Sequence, residues 1–262
     1  MHVDRFSVPV ETRAPTGRTN AYLVAGPGPA DGTERLLVDP AGRTENLDVA
    51  VRETAVDHVA VTHTHPDHVG AVADYARETG ATVWARVGRT ERFAAATGVE
   101  PDRTFAEGDR VGPAAVLDTQ GHAPDHAAFE TPLGIVSGDV AVAEGSVVVG
   151  APEGDVRAYL VALRRLHARN PSTLYPGHGP VIEEPRAACG RLIAHRLARE
   201  TAVEAAALDG AGDVDAVLSA AYEKDLSGVR DLARATVRAH LEKLSRSGRV
   251  RYDPETGDVG PA

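Results

Sequence analysis

Histidine and aspartate are the residues of this chain whose types and spacing could do chemistry. His63, His65, Asp67 and His68 stand together in His-Thr-His-Pro-Asp-His, directly after a short apolar run. Further candidates lie downstream: His122 in Gln-Gly-His-Ala-Pro-Asp-His, Asp139 in Ser-Gly-Asp, and His178 in Pro-Gly-His-Gly. Neutral imidazole suits zinc, and carboxylate adds a hard, negatively charged donor. Each downstream candidate has a glycine neighbour, which lets backbone approach closely. These seven side chains exceed the needs of one four-coordinate structural zinc. They fit two metals that share a carboxylate and leave a position open for water.

Such a set needs strand ends to fix its loops. Phe6–Val10, Asn20–Ala25 and Arg35–Val38 read as strands, with a Gly-Pro-rich turn over residues 26–32 joining the last two. Thr44–Thr54 has helical spacing, and His58–Thr62 is a short strand that runs straight into the histidine cluster. Gly70–Thr79 reads as a helix ending at Gly80, and Thr82–Arg86 as a strand. Ala114–Asp118, Ala127–Glu130 and Gly134–Ser137 are strands in quick succession; Val156–Ala168 is an amphipathic helix, and Thr173–Tyr175 a last strand. The texture changes near Pro185. Arg186–Leu208, Val214–Lys224 and Val229–Ser245 are helical, and Val250–Tyr252 with the Gly257 turn predicts a small ribbon. Helix, helix, helix and ribbon is the order of a winged helix. The expected division is therefore a domain over residues 1–185 and a helical linker with a winged-helix-like domain over 186–262.

Composition narrows the class. The chain has 262 residues, 42% of them hydrophobic, enough for a core and too many for a disordered chain. One cysteine, Cys189, excludes an intramolecular disulfide framework and any Cys-rich zinc module. No apolar run spans a membrane, and Met1–Arg5 lacks the blocks of a signal peptide, so a cytoplasmic protein is expected. With 38 acidic and 28 basic residues the net charge is −10, and all but two of the basic residues are arginine. That balance disfavours wholesale binding of phosphate polymers and points to a salt-rich cytoplasm, the alternative being a genome biased towards arginine codons.

The ordered series His-Thr-His-Pro-Asp-His, Gly-His, Ser-Gly-Asp and Pro-Gly-His-Gly resembles the metallo-β-lactamase-fold hydrolases, with Asp39 in Val-Asp-Pro as the first block. The likeness covers residues 20–180. It implies an α/β fold, a four-layer αββα sandwich with a two-metal site at one edge of the sheets. It also implies that His63, His65 and His122 hold one zinc, that Asp67, His68 and His178 hold the other, and that Asp139 bridges them. One Fe²⁺, or a mixed Zn/Fe/Mn pair, is the alternative cofactor. This glyoxalase-II and ribonuclease-Z pattern uses no cysteine, and Cys189 lies outside every motif, as a buried apolar residue would. A metal-bridging hydroxide is the implied nucleophile. Asp67 and Asp139 are the implied catalytic carboxylates; whether Asp67 is ligand or general base stays open. Asp39 either bonds to a metal-binding loop or is an ordinary turn aspartate. His126, four residues after His122, is either functional or structural, and His2, His58, His167 and His240 read as structural or solvated.

The tail, through Leu192–Glu200 and Val229–Val250, is similar to the beta-lactamase-like-protein-2 group. His195 on its first helix either contacts substrate at the mouth of the site or is a helix-face residue. Arg230, Arg234 and Arg238 form one stripe of the third helix, either for nucleic acid or as a solvated face. The winged helix binds nucleic acid, walls the entrance or makes a homodimer. The leading expectation is a dinuclear zinc hydrolase of a small-molecule ester or thioester. The alternatives are a zinc phosphodiesterase cutting single-stranded RNA, a mononuclear iron persulfide dioxygenase, and a DNA-binding regulator with a degenerate site.

Overall fold

A computed structural model describes residues 1–28, 32–223 and 225–262. Two units emerge from it. The first comprises Met1–Thr119, Asp125–Gly145 and Asn170–Pro185; the second comprises Gln120–Pro124, Ser146–Arg169 and Arg186–Ala262.

The first unit opens with β1 (His2–Pro9), β2 (Arg18–Pro27) and β3 (Thr33–Val38), an antiparallel meander. β2 is buried along nearly its whole length, as a strand covered on both faces must be. Of the expected turn after it, Pro29 and Asp31 lie outside the described residues. Then follow α1 (Glu45–Glu53), β4 (His58–Ala60), α2 (Pro66–Val69), α3 (Val72–Thr79), β5 (Thr82–Arg86), α4 (Thr90–Thr97) and β6 (Arg103–Phe105). β3 to β6 run parallel, because helices connect them. Thr44 caps α1 by accepting from Leu47 N–H, and Gly80 closes α3 in the left-handed conformation. The pattern of the sequence gives no element at α4 or β6: α4 buries only Phe93 and Thr97, and β6 has three residues.

The second sheet holds β7 (Arg110–Val111), β8 (Ala114–Asp118), β9 (Ala127–Thr131), β10 (Gly134–Gly138) and, after α5 (Val156–Arg169), β11 (Leu174–Pro176), in the order β11-β10-β9-β8-β7. One core lies between the sheets, joining Tyr22, Val24, Leu36, Val38 and Phe105 to Val116, Phe129 and Val136. A second joins the first sheet to its helices through Leu23, Leu37, Val59, Val83, Leu47, Tyr75 and Phe93. Each such large side chain stabilises by about 1.5–3 kcal/mol when fully buried. The sandwich thus stacks two apolar faces against each other and leaves the strand ends free to carry loops.

The second unit contains α5, α6 (Pro185–Leu208), α7 (Val214–Ala221), α8 (Arg230–Arg246) and a ribbon of β12 (Val250–Tyr252) with β13 (Val259–Pro261). Its core joins Val203, Val217, Leu218, Val237, Leu241, Leu244 and Tyr252. Asp213 caps α7 through Ala216 N–H at 2.8 Å, and the last residue expected of that helix, Lys224, lies outside the described residues. The helices and ribbon follow the expected order. Residues 120–124 and 146–169, which precede Pro185, group with them.

Candidate metal centre

Within the first unit the site grows from the ends of β3, β4, β10 and β11. β4 stops at Ala60, earlier than the apolar pattern predicts, because Thr62 turns to a side-chain partner. Thr62 donates from its N–H to Asp39 Oδ1 at 2.6 Å and from its hydroxyl to Asp39 Oδ2 at 2.7 Å. Asp39 holds φ at +51°, a left-handed backbone that aspartate tolerates better than most residues. Its Oδ2 also lies 3.0 Å from His68 Nδ1. Asp39 is therefore fully buried support for the histidine loop, and an ordinary turn aspartate is excluded.

That bond has a consequence for His68. With Nδ1 donating to Asp39, Nε2 presents a lone pair. This Nε2 is buried and makes no hydrogen bond among the described residues, yet it faces Asp139 Oδ1 at 3.7 Å. Two acceptors face each other, and a cation between them satisfies both. Burial alone would lower the His68 pKa; Asp39, Asp139 and Asp67 outweigh it and raise it to about 9. His178 has the same design. Its Nδ1 lies 2.8 Å from Arg18 O, leaving Nε2 3.3 Å from Asp139 Oδ2 and 3.5 Å from Asp67 Oδ2. Burial opposes its charged form, but Asp139 again raises its pKa. Asp67, His68 and His178 each offer a donor atom within 4.8 Å of the others, and so do His63, His68 and Asp139. His63 Nε2 lies 2.9 Å from His65 Nδ1. The donor set, imidazole nitrogens and carboxylate oxygens turned inward on one another, fits divalent metal ions such as zinc.

His122 belongs to the second unit, where its Nδ1 lies 2.7 Å from Val148 O. His195 is exposed on α6, and Cys189 on the same helix is buried, with its thiol pushed up to about 11 by burial. Of the other histidines, His2 is exposed and His240 fully buried. His58 accepts from the Trp84 indole N–H at 3.2 Å.

Several further residues support the donors, and of these Thr12, Asn20 and Tyr22 lie outside every motif. Asp139 N–H donates to His126 Nε2 at 3.0 Å, and His126 Nδ1 meets Thr119 Oγ1 at 2.8 Å, so His126 holds Asp139 by its backbone. The Thr12 hydroxyl donates to Asp67 Oδ2. Asn20 Nδ2 donates to Pro176 O and Gly179 O, both at 2.9 Å, and Tyr22 Oη to Pro176 O at 2.7 Å, which fastens the loop carrying His178. Gly177 has to lack a side chain: a Cβ there would collide with Asp139 Oδ1 and come within 2.7 Å of His68 Cε1. The glycine beside each candidate was the one sign in the sequence of such crowding. The stripe on α8 is bonded within the second unit. Arg230 and Arg234 both reach Asp215, and Arg238 reaches Tyr252 Oη.

Comparison with known proteins matches this arrangement. The Drosophila melanogaster "Beta-lactamase-like protein 2 homolog" is 29% identical, over 89% of this chain and 84% of that protein. "Thioesterase pkgB" of Emericella nidulans is 32% identical over 71% of this chain, which spans 53% of that protein. The crystal structure of metallo-beta-lactamase family protein TTHA1429 from Thermus thermophilus superposes with a TM-score of 0.77 at 25% identity, covering 99% of this chain and 98% of that one. The model of the Metallo-beta-lactamase superfamily matches residues 14–178, which include every candidate donor and all the strands of the two sheets except β1. The chain belongs to the metallo-beta-lactamase superfamily.

Proposed function

We propose that this metal-dependent hydrolase cleaves a small-molecule thioester, or a related ester, with two zinc ions per chain. The observation that carries the reading is the mutual approach of His68 Nε2, His178 Nε2 and the Asp139 carboxylate, where the buried His68 Nε2 makes no hydrogen bond among the described residues. In this reading His63, His65 and His122 hold one ion, Asp67, His68 and His178 the other, and Asp139 both. Residues 1–185 form the catalytic domain and 186–262 a winged-helix-like appendage. A relative named as a thioesterase supports the substrate class.

Bound metal ions would supply Lewis acidity, polarising the acyl carbonyl and drawing the pKa of water towards neutrality. The protein supplies the geometry. Asp39 and Arg18 O accept from Nδ1 of His68 and His178, so when these rings are neutral each Nε2 turns its lone pair inward. Thr12 occupies one lone pair of Asp67 Oδ2, which leaves the other carboxylate oxygen to orient the attacking water. A leaving thiolate, with a thiol pKa of about 8.5, departs without a proton donor, which suits a centre of imidazoles and carboxylates. The test is thiol release from an S-acyl thiol by the zinc-loaded chain, with metal content measured in the same sample. Turnover that tracks two zinc per chain is expected. A fully loaded protein that releases no thiol overturns the substrate, and one iron per chain overturns the metal. The stripe on α8 is taken up by Asp215 and Tyr252, so the RNA reading gains no support from it.

A further inference from the structure

We propose that Arg196, on the long helix α6, is a positioning residue for His122, so that the C-terminal extension sets the affinity of one metal position. The inference rests on the reading of His122 as a ligand.

Arg196 is 3% exposed. Its guanidinium donates to Val147 O and lies 5.5 Å above the Tyr159 ring centroid. Among the described residues no carboxylate pairs with it, its Nε makes no hydrogen bond, and burial lowers its pKa. A buried guanidinium without a counter-ion is a costly arrangement, and stability alone does not favour it. What it touches is informative. Val147 is followed by Val148, whose carbonyl accepts from His122 Nδ1–H at 2.7 Å. That bond selects the tautomer in which Nε2 of the neutral His122 ring carries the lone pair a metal would take.

The other contact leads to the same place. Tyr159 lies in the first turns of α5, against which residue 121 packs. Gly121 has φ +132°, and a Cβ on it would collide with Tyr159 backbone N. Gly121 O accepts from Asp155 N–H at 2.8 Å. His122 is therefore held through Val148 on one side and through Gly121 on the other. Arg196 bonds to the loop of the first and stacks on the helix of the second. It touches neither His122 nor any reacting atom, and acts by fixing the two backbones that aim the imidazole. Without it, Val147 O loses its donor and the carbonyl next in line is free to turn.

The experiment measures zinc affinity of the full chain by competition with a chromophoric chelator, and the visible spectrum of the cobalt-loaded protein. Arg196→Met should weaken one of the two metal positions about tenfold, at the low end of the usual 10–100-fold for groups that orient a ligand. The other position should stay unchanged, and the cobalt band should shift, neither of which a general loss of packing would produce. Arg196→Lys, whose shorter cation reaches Val147 O less well, should show a smaller loss at the same position. A folded Arg196→Met protein with parental affinity at both positions overturns the proposal. If Arg196→Met does not fold, Arg196→Lys decides, and parental affinity there overturns it. His122→Ala separates the two inferences: loss of one metal supports the ligand reading whatever Arg196 does, and two metals retained overturns both.

Discussion

Among the described residues, a buried cluster of carboxylate and imidazole in the first unit and another in the second are built for opposite ends. Around Asp139, in the first unit, His68 and His178 bring Nε2 atoms towards Asp139 and Asp67. Neither Asp39 nor Asp67 has a lysine or arginine partner among the described residues. In the second unit Glu200 on α6 faces His240 on α8 at 3.7 Å. There the charge is met from within: Lys243 Nζ reaches Glu200 Oε1 at 2.7 Å and Arg249 reaches it at 3.3 Å. His240 and Lys243 hold the Glu200 carboxyl down at about 2, while burial keeps His240 below its ordinary value. The residue types are shared, and the source of counter-charge differs. A cluster that carries its own cations has its charge balanced from within, even though Glu200 Oε2 and both His240 nitrogens make no hydrogen bond among the described residues. One that turns acceptors on each other needs a cation from outside.

Asp139→Ala should dismantle the first cluster outright. We expect kcat/KM for an S-acyl thiol to fall at least about 1000-fold, with loss of bound metal, measured by turnover and elemental analysis. Chelation extends the contrast. With metal a thousandfold above its Kd, binding contributes about 4 kcal/mol, so stripping it should lower the melting temperature by about 10 °C. Glu200→Gln should do the reverse. It leaves turnover intact and destabilises by about 1–3 kcal/mol, since Lys243 loses its charged partner.

The pH dependence of that variant follows from the direction of the shift. The folded Glu200 pKa lies below its ordinary 4.5, so its stabilisation is present above that pH and lost as pH falls towards about 2. His240 is also depressed, so it adds a loss of stability on acidification below its ordinary 6.5. Acid unfolding followed by circular dichroism should be shallower in Glu200→Gln than in the parent. The smallest effects belong to the helix caps. Thr44→Ala in the first unit and Asp213→Ala in the second should each cost about 1 kcal/mol in a denaturant titration, without touching metal content.

Much of this was readable along the chain. Histidine and aspartate placed after apolar runs marked the loops, and alternation with turn residues located most strands within a residue or two. α5, with its buried Tyr159, Leu160, Leu163 and Leu166, announces itself by helical spacing. α4 and β6 do not, since a short element with one or two buried positions leaves almost no periodic signal.

Residue type and local periodicity are properties of the chain alone, and they establish which candidate donors exist and their order. Which nitrogen of each neutral imidazole carries the proton and which the lone pair is settled by long-range packing. It depends on Asp39 for His68, Arg18 O for His178 and Val148 O for His122, partners 29, 160 and 26 residues away. The same packing makes His126 serve Asp139, and groups residues 120–124 with the C-terminal helices. Hydrogen bonds of this range leave no pattern in neighbouring residues, because they form only when packed sheets and helices bring distant backbones within about 3 Å.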